Sequence, residues 1–163
     1  MIKQYVAQEF CLRCQGCCRF PEPDTVWSPG LLESDKKRLL KNDLPCSLVT
    51  AGNKIRLVRH EKQDNFICSF LNVTGNICKV YAFRPFECQL YPFLINRRKG
   101  KVLLSVDLKC PFIAQDLKSA RFKKYAEYLA GLLNKPRLLN ILKNNPQVIQ
   151  EYSDAADLGE IKL

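Results

Sequence analysis

The spacing of apolar positions changes character twice along the chain. After Ser28-Pro29-Gly30, the residues Leu31, Leu32, Leu39 and Leu40 recur at helical intervals. Serine followed by proline is a cap and first-turn signal, so a short amphipathic helix is predicted to about Lys41. From 47 to 106 alternation and turn residues take over. Segments 47–50 and 54–59 flank Ala51-Gly52-Asn53; segments 66–71 and 77–81 flank 72–76 and carry one cysteine per arm; segments 91–96 and 102–106 flank Arg97-Arg98-Lys99-Gly100. Three antiparallel hairpins are predicted, the last with Arg97, Arg98 and Lys99 on its exposed tip. From Ala114 the period returns to helical, with Leu117, Phe122, Tyr125, Leu129, Leu132 and Leu133 on one face as far as Asn134. Pro136 then breaks it, Leu138, Leu139, Ile141 and Leu142 indicate a second helix, and Pro146 opens a third through Tyr152.

These elements predict an α+β protein. A small antiparallel β-rich cysteine-cluster domain with short helices, residues 1–112, is followed by a helical C-terminal extension, residues 113–163. With 47% hydrophobic and 26% charged residues in a chain of 163, a wholly disordered or collagen-like protein is excluded. A chain of this size buries roughly 70% of its unfolded surface, so folding need not depend on crosslinks. No apolar run reaches the length that crosses a bilayer, and the first ten residues carry no continuous apolar signal core. A cytoplasmic protein is therefore expected, in which grouped cysteines act as metal ligands or redox groups rather than as disulfides.

Nine cysteines are present, and eight of them are grouped. Cys11, Cys14, Cys17 and Cys18 lie within eight residues, in a segment that Gly16, Pro21 and Pro23 mark as a tight loop. The C-x2-C-x2-C spacing is the three-ligand run common in iron–sulfur loops, and a C-x2-C knuckle also suits zinc. Cys68, Cys78 and Cys88 follow at ten-residue intervals, and Cys110-Pro111 closes the series. Stacked hairpins would bring these thiols to the N-terminal loop, giving ligands for one or two four-sulfur centres. Cys46 has no partner at ligand spacing and reads as a core or incidental thiol. His60 is the one histidine, expected to be exposed on its strand, and its solitude excludes a His-rich catalytic zinc site. P-loop, G-x-G-x-x-G, H-E-x-x-H and G-x-S-x-G motifs are absent, so hydrolase and nucleotide-dependent activities have no support.

The formal charge of +10 counts every thiol as neutral; a centre of four thiolates and one divalent ion or 4Fe–4S core lowers it to +8, and two such centres to +6. Thirteen Lys and Arg between Arg84 and Lys143 face four acids. Phe112, Phe122, Tyr125 and Tyr128 stand at helical intervals there, which describes a core stripe better than a base-stacking platform. The basic zone is accordingly expected to be a solvated face, with nucleic acid the disfavoured partner and a protein or redox partner left open.

The segments Cys11-Leu12-Arg13-Cys14-Gln15-Gly16-Cys17-Cys18, Cys68-Ser69-Phe70-Leu71, Cys78 through Arg84-Pro85 to Cys88, Tyr91-Pro92-Phe93 and Cys110-Pro111, in that order, resemble the YkgJ-type cysteine-cluster family of zinc- or iron-chelating CxxCxxCC domains. The resemblance spans about 11–111 and implies a metal centre bound by Cys11, Cys14, Cys17, Cys18, Cys68, Cys78, Cys88 and Cys110. It leaves the metal open. A similar cluster occurs in flagellin lysine methylases, where an iron–sulfur centre is linked with S-adenosylmethionine-dependent methylation, but no separate methyltransferase-like segment is found here. Arg84 lies within the matched run; it is a candidate to bind the cofactor by supplying positive charge or hydrogen bonds to a net-negative thiolate centre, while Pro85 would start a short helix that turns Cys88 inward. The functional expectation is an iron–sulfur (4Fe–4S first) or zinc protein in electron transfer or a cluster-dependent modification. The alternative is a zinc-stabilised binding module for a protein or nucleic acid.

Overall fold

Local chemistry accounts for most of the elements found in the computed structural model, which describes residues 2–14 and 16–163. The α+β class holds, with short helices, small antiparallel sheets and helices toward the C-terminus. By tertiary contact the chain forms two units, Val6–Gln89 and a second made of Leu90–Leu163 with the start of the chain up to Tyr5. Residue 112, the boundary suggested by the cysteine pattern, falls inside a helix of the second unit.

The first unit begins with α1 (Gln8–Arg13), where a loop was expected. Glu9 in its first turn and Arg13 in its last suit the helix dipole, and Arg13 Nε donates to the Glu9 carbonyl at 3.2 Å. After it come β1 (Arg19–Phe20) and α2 (Glu33–Lys41). The second helix starts later than Ser28-Pro29 suggests, because residues 28–31 are engaged elsewhere. Ser28 Oγ donates to the Ile55 carbonyl at 2.7 Å, Ile55 N to the Pro29 carbonyl at 2.9 Å, and Leu31 N to the Asn53 carbonyl at 2.8 Å. Asp35 takes over the capping role, accepting from Leu32 N at 3.1 Å.

The turn at 51–53 forms as predicted, with Asn53 in the left-handed region (φ 56°) and a Val49–Ile55 bridge. β2 (Leu57–Arg59), however, pairs with β3 (Phe66–Cys68), and the sheet order is β1-β3-β2. β4 (Leu71–Asn72) and β5 (Ile77–Cys78) make a separate ladder. Thus Cys68 and Cys78, expected on the two arms of one hairpin, belong to different sheets. α3 (Phe86–Leu90) follows Pro85 as predicted. His60 is buried, not exposed: its Nδ1 accepts from Lys62 N at 3.0 Å and its own N–H donates to the Asn65 carbonyl. The core joins Leu31, Leu39, Ile55, Ile67, Cys68, Phe70 and Val80, against which Cys18, Cys78 and Cys88 pack.

In the second unit β6 (Phe93–Arg98) and β7 (Lys101–Asp107) form the expected hairpin. Lys99 (φ 50°) and Gly100 (φ 76°) both occupy the left-handed region that a two-residue turn of this twist requires. The predicted long helix is two, α4 (Pro111–Asp116) and α5 (Ala120–Leu133), because Ser119 caps the second by accepting from Phe122 N at 2.9 Å. Phe122, Tyr125, Leu129 and Leu133 form its buried stripe; each fully buried leucine contributes about 1.5–3 kcal/mol. Tyr5 enters the same aromatic cluster, with ring centroids 5.6 Å from Phe93, 5.7 Å from Phe112 and 4.7 Å from Tyr125. Burial, then its hydrogen bond to Asp116, pushes the Tyr5 hydroxyl up to about 12. The stripe is core, as its spacing indicates, with Tyr128 left exposed.

α6 (Pro136–Lys143) is as expected, but the third helix is replaced by a single 3-10 turn at Pro146–Val148 and by β8 (Ala155–Ile161), which pairs antiparallel with β7. Two polar side chains dock this strand. Buried Asn96 donates to the Tyr152 carbonyl and accepts from Tyr152 N. Arg98 donates to the carbonyls of Tyr152 (2.8 Å), Ser153 (3.2 Å) and Ala155 (3.0 Å) and to Asp157 (2.8 Å). Arg98 is therefore not a free tip residue, whereas Arg97 and Lys99 are exposed. Among the described residues no helix is long and apolar enough to cross a membrane.

Replacing Arg98 with Met should leave three carbonyls short of a donor and lower stability by about 2 kcal/mol, read as a shift in the urea midpoint. Arg97→Met, beside it on the exposed side, should stay within about 0.5 kcal/mol of the parent.

Candidate metal centre

Register brings the first two cysteine groups together. Arg19 N donates to the Gly16 carbonyl at 3.1 Å, closing the turn that carries Cys17 and Cys18, and Cys68 N donates to the Cys18 carbonyl at 3.0 Å. The β1–β3 pairing, Arg19 opposite Ile67, thus sets Cys18 beside the end of β3. Cys78 arrives on β5 opposite Leu71, and Lys79 N donates to the Phe70 carbonyl at 2.8 Å, so the strand bearing Cys78 is held one step from that bearing Cys68. Cys88 comes from α3, one turn after Pro85.

Four thiols from these elements, Cys17, Cys68, Cys78 and Cys88, act on one another, and Cys18 acts on Cys17. The Cys17 thiol is raised well above its ordinary value, first by its hydrogen bond with Cys18; because Cys17 is an exposed residue, we attribute the shift to that contact rather than to burial. Burial pushes Cys68 up to about 12, and the neighbouring Cys78 and Cys17 push the same way. Cys88 is raised by burial, then by Cys68, Cys78, Glu87 and Cys17. Cys78 is raised by burial and by Cys17, and Arg84 opposes both its shift and that of Cys17. The Arg84 guanidinium is thus near enough to Cys17 and Cys78 to favour their charged form, and it lies 4.0 Å above the centre of the Tyr81 ring, a cation–π contact.

The remaining cysteines are placed differently. Cys11 is half-buried on α1. The Cys14 sulfur folds back over the loop to within 3.5 Å of where a Cβ on Gly16 would stand. Cys110 is buried in the second unit, directly before α4. Cys46, outside the pattern, is exposed on the wall of an apolar cleft of about 270 Å³ with Leu39, Leu40, Leu44 and Val49. It is a surface thiol, not a core one.

All nine cysteines are thiols, not disulfides. Among the described residues no three Cys, His, Asp or Glu side chains already stand around a point that a metal would fill. The chemistry of the donor set nevertheless fits a thiophilic metal: neighbouring sulfurs, no imidazole among them, and one guanidinium to offset the excess negative charge that four thiolates leave on a divalent ion.

Residues that the cysteine pattern does not single out hold this geometry. Asp35, only 2% exposed, accepts from Leu32 N and, at 3.0 Å, from Phe86 N at the start of α3; Arg38 pairs with it at 2.5 Å and donates to the Arg84 carbonyl at 3.1 Å. Gln89 donates to the same carbonyl at 2.7 Å. Glu87 accepts from Gly30 N. The helix α2, which reads as merely structural in sequence, thus fixes the segment bearing Arg84 and Cys88. Leu32 has no side chain that could cap, so nothing local announces the role of Asp35 or its bond to Phe86.

A family model described as a "Putative zinc- or iron-chelating domain", CxxCxxCC, matches residues 10–111. An uncharacterized protein of Methanocaldococcus jannaschii, MJ0661, is 28% identical over 107 residues, which are 60% of this chain and 52% of that protein. The chain therefore spans about half the length of this curated relative. No solved structure matches it.

Asp35→Ala should strand two buried backbone donors and leave Arg38 without its carboxylate, lowering the stability of the metal-free protein by about 2–3 kcal/mol in chemical denaturation. Ser34→Ala, at an exposed neighbouring site, is the control and should change it by less than about 0.5 kcal/mol.

Proposed function

From the premise that this chain belongs to the CxxCxxCC family of zinc- or iron-chelating domains, we propose that the unit 6–89 carries a thiolate metal centre drawn from Cys17, Cys18, Cys68, Cys78 and Cys88, with Cys11 and Cys14 as the adjoining arm. The observation that carries this reading is that backbone hydrogen bonds tie the Cys17–Cys18 turn to β3 and the strand of Cys78 to the segment after β3; the electrostatic effect of Arg84 on Cys17 and Cys78 agrees with it. Cys110, in the other unit, enters only through the order of motifs that the family match covers.

The proposed occupant is an iron–sulfur cluster, in line with the C-x2-C-x2-C run and with more neighbouring sulfurs than one zinc ion uses. Bound there, such a cluster would supply a one-electron couple for electron transfer or for a cluster-dependent modification. Arg84, steadied by Tyr81, would hold positive charge against the centre and favour its more negative state. Cys17, on the exposed side, marks where a redox partner would approach. The reading requires a compartment that keeps thiols reduced, such as the cytoplasm. A second reading, a zinc-stabilised binding module, is favoured by a different observation: β1, β4 and β5 are only two residues long, and strands so short gain most from a metal that ties them together.

Protein purified without oxygen should be brown and contain iron with acid-labile sulfide; colourless protein with stoichiometric zinc and no iron would leave the zinc module standing instead. In either case Cys18→Ser, Cys78→Ser and Cys88→Ser should lower metal content and stability together, since binding at a structural thiolate site is worth about 10 kcal/mol. Cys46→Ser should change neither, and equal metal loss from Cys46→Ser and Cys78→Ser would refute the ligand assignment.

A further inference from the structure

One amide side chain closes the N-terminal cysteine arm onto the strand that carries Cys78. Asn76 Nδ2 donates to the Leu12 carbonyl at 2.7 Å and to the Cys14 carbonyl at 2.9 Å, and its Oδ1 accepts from Arg19 Nη1 at 2.9 Å. Both donors and the acceptor of the amide are thereby used, bridging to residues 57–64 positions away.

The position of these bonds matters. Leu12 lies in the last turn of α1 and Cys14 is its C-cap, so Leu12 and Cys14 carbonyls have no acceptor role within the helix and need an outside donor. A helix of six residues has too few internal bonds to persist alone, and it buries no residue. Asn76 is thus its C-terminal cap, supplied from a distant turn. Its backbone sits at φ 49°, a conformation that asparagine tolerates better than most residues, and Cys78 follows two positions later in β5. At the other end of the same arm, the Cys18 carbonyl is held by Cys68 N. Leu12 and Cys14 are thus tied to the turn that leads into β5, and Cys18 to β3.

We propose that Asn76 is a positioning residue of the metal centre: it holds the Cys11–Cys14 arm against the Cys78 strand in the metal-free protein, so that binding need not first order that arm. This rests on the metal-centre reading above and adds to it a residue that is not a ligand. Outer residues that orient ligands typically change metal affinity by about 10–100-fold when removed, and a lost preorganising contact acts in the same direction.

The test is anaerobic titration of the full chain with Co²⁺, read by its thiolate-to-cobalt charge-transfer absorption and by competition with a chelator of known affinity. Asn76→Gly keeps the left-handed backbone and removes the amide; Asn76→Asp keeps shape and the Arg19 acceptor but turns two donors into acceptors facing two carbonyls. Both should bind Co²⁺ about tenfold or more weakly than the parent, with far-UV circular dichroism of the metal-free proteins changed by no more than the loss of the six-residue α1. Affinity within twofold of the parent for either variant overturns the proposal, and so does weakening that only tracks a loss of secondary structure larger than α1. If the parent itself shows no charge-transfer absorption with Co²⁺, the metal-centre reading fails, and this inference with it.

Discussion

Four thiols within one another's electrostatic reach, Cys17, Cys68, Cys78 and Cys88, are the constraint around which the first unit is organised. Each is harder to ionise in the fold than alone: Cys68, Cys78 and Cys88 first because burial penalises the charged form, Cys17 first because of its hydrogen bond with Cys18, and neighbouring sulfurs add to all four. A buried cysteine taken singly is a small hydrophobe; in an interacting group, ionising one thiol penalises ionising the next.

The scaffold serves that group by unusual means for so small a unit. Its strands are two or three residues long and offer little ladder energy. Long-range polar contacts do much of the positioning: Asp35 and Arg38 on the Arg84–Phe86 backbone, Glu87 on Gly30, Asn76 on the Leu12 and Cys14 carbonyls. A half-satisfied set of this kind would be costly. Asp35 illustrates the balance: burial raises its carboxyl above the ordinary value, and the Phe86 and Leu32 N–H groups and Arg38 oppose that rise.

The second unit is built on the more familiar logic of a sheet and amphipathic helices. β6, β7 and β8 form its sheet, α5 presents four buried residues, and the aromatic cluster that Tyr5 joins packs on Phe93. Several basic residues of this region are already engaged, Arg98 and Lys101 with β8 and Lys109 with Asp154. Part of the positive charge read from composition is therefore paired with acids of the same unit.

Spacing along the chain determined what neighbours in sequence can encode. The grouping of the cysteines, the hairpin that joins 91–96 to 102–106, the α5 stripe and the Pro85 start of the Cys88 helix were all legible there, since turn residues, caps and periodicity act over a few positions. The extent of α2, the break at Ser119, the burial of His60, the separate sheets of Cys68 and Cys78, and above all β8 were not. β8 forms because β7 offers a partner and because Asn96 and Arg98 bind the backbone 54–57 residues further on. The sites of Asp35 and Asn76 were hidden for the same reason: a hydrogen bond spanning 51 or 62 residues leaves no periodic trace. Only the folded chain, by satisfying buried donors and acceptors across such distances, decides which of the locally permitted elements survive and which thiols meet.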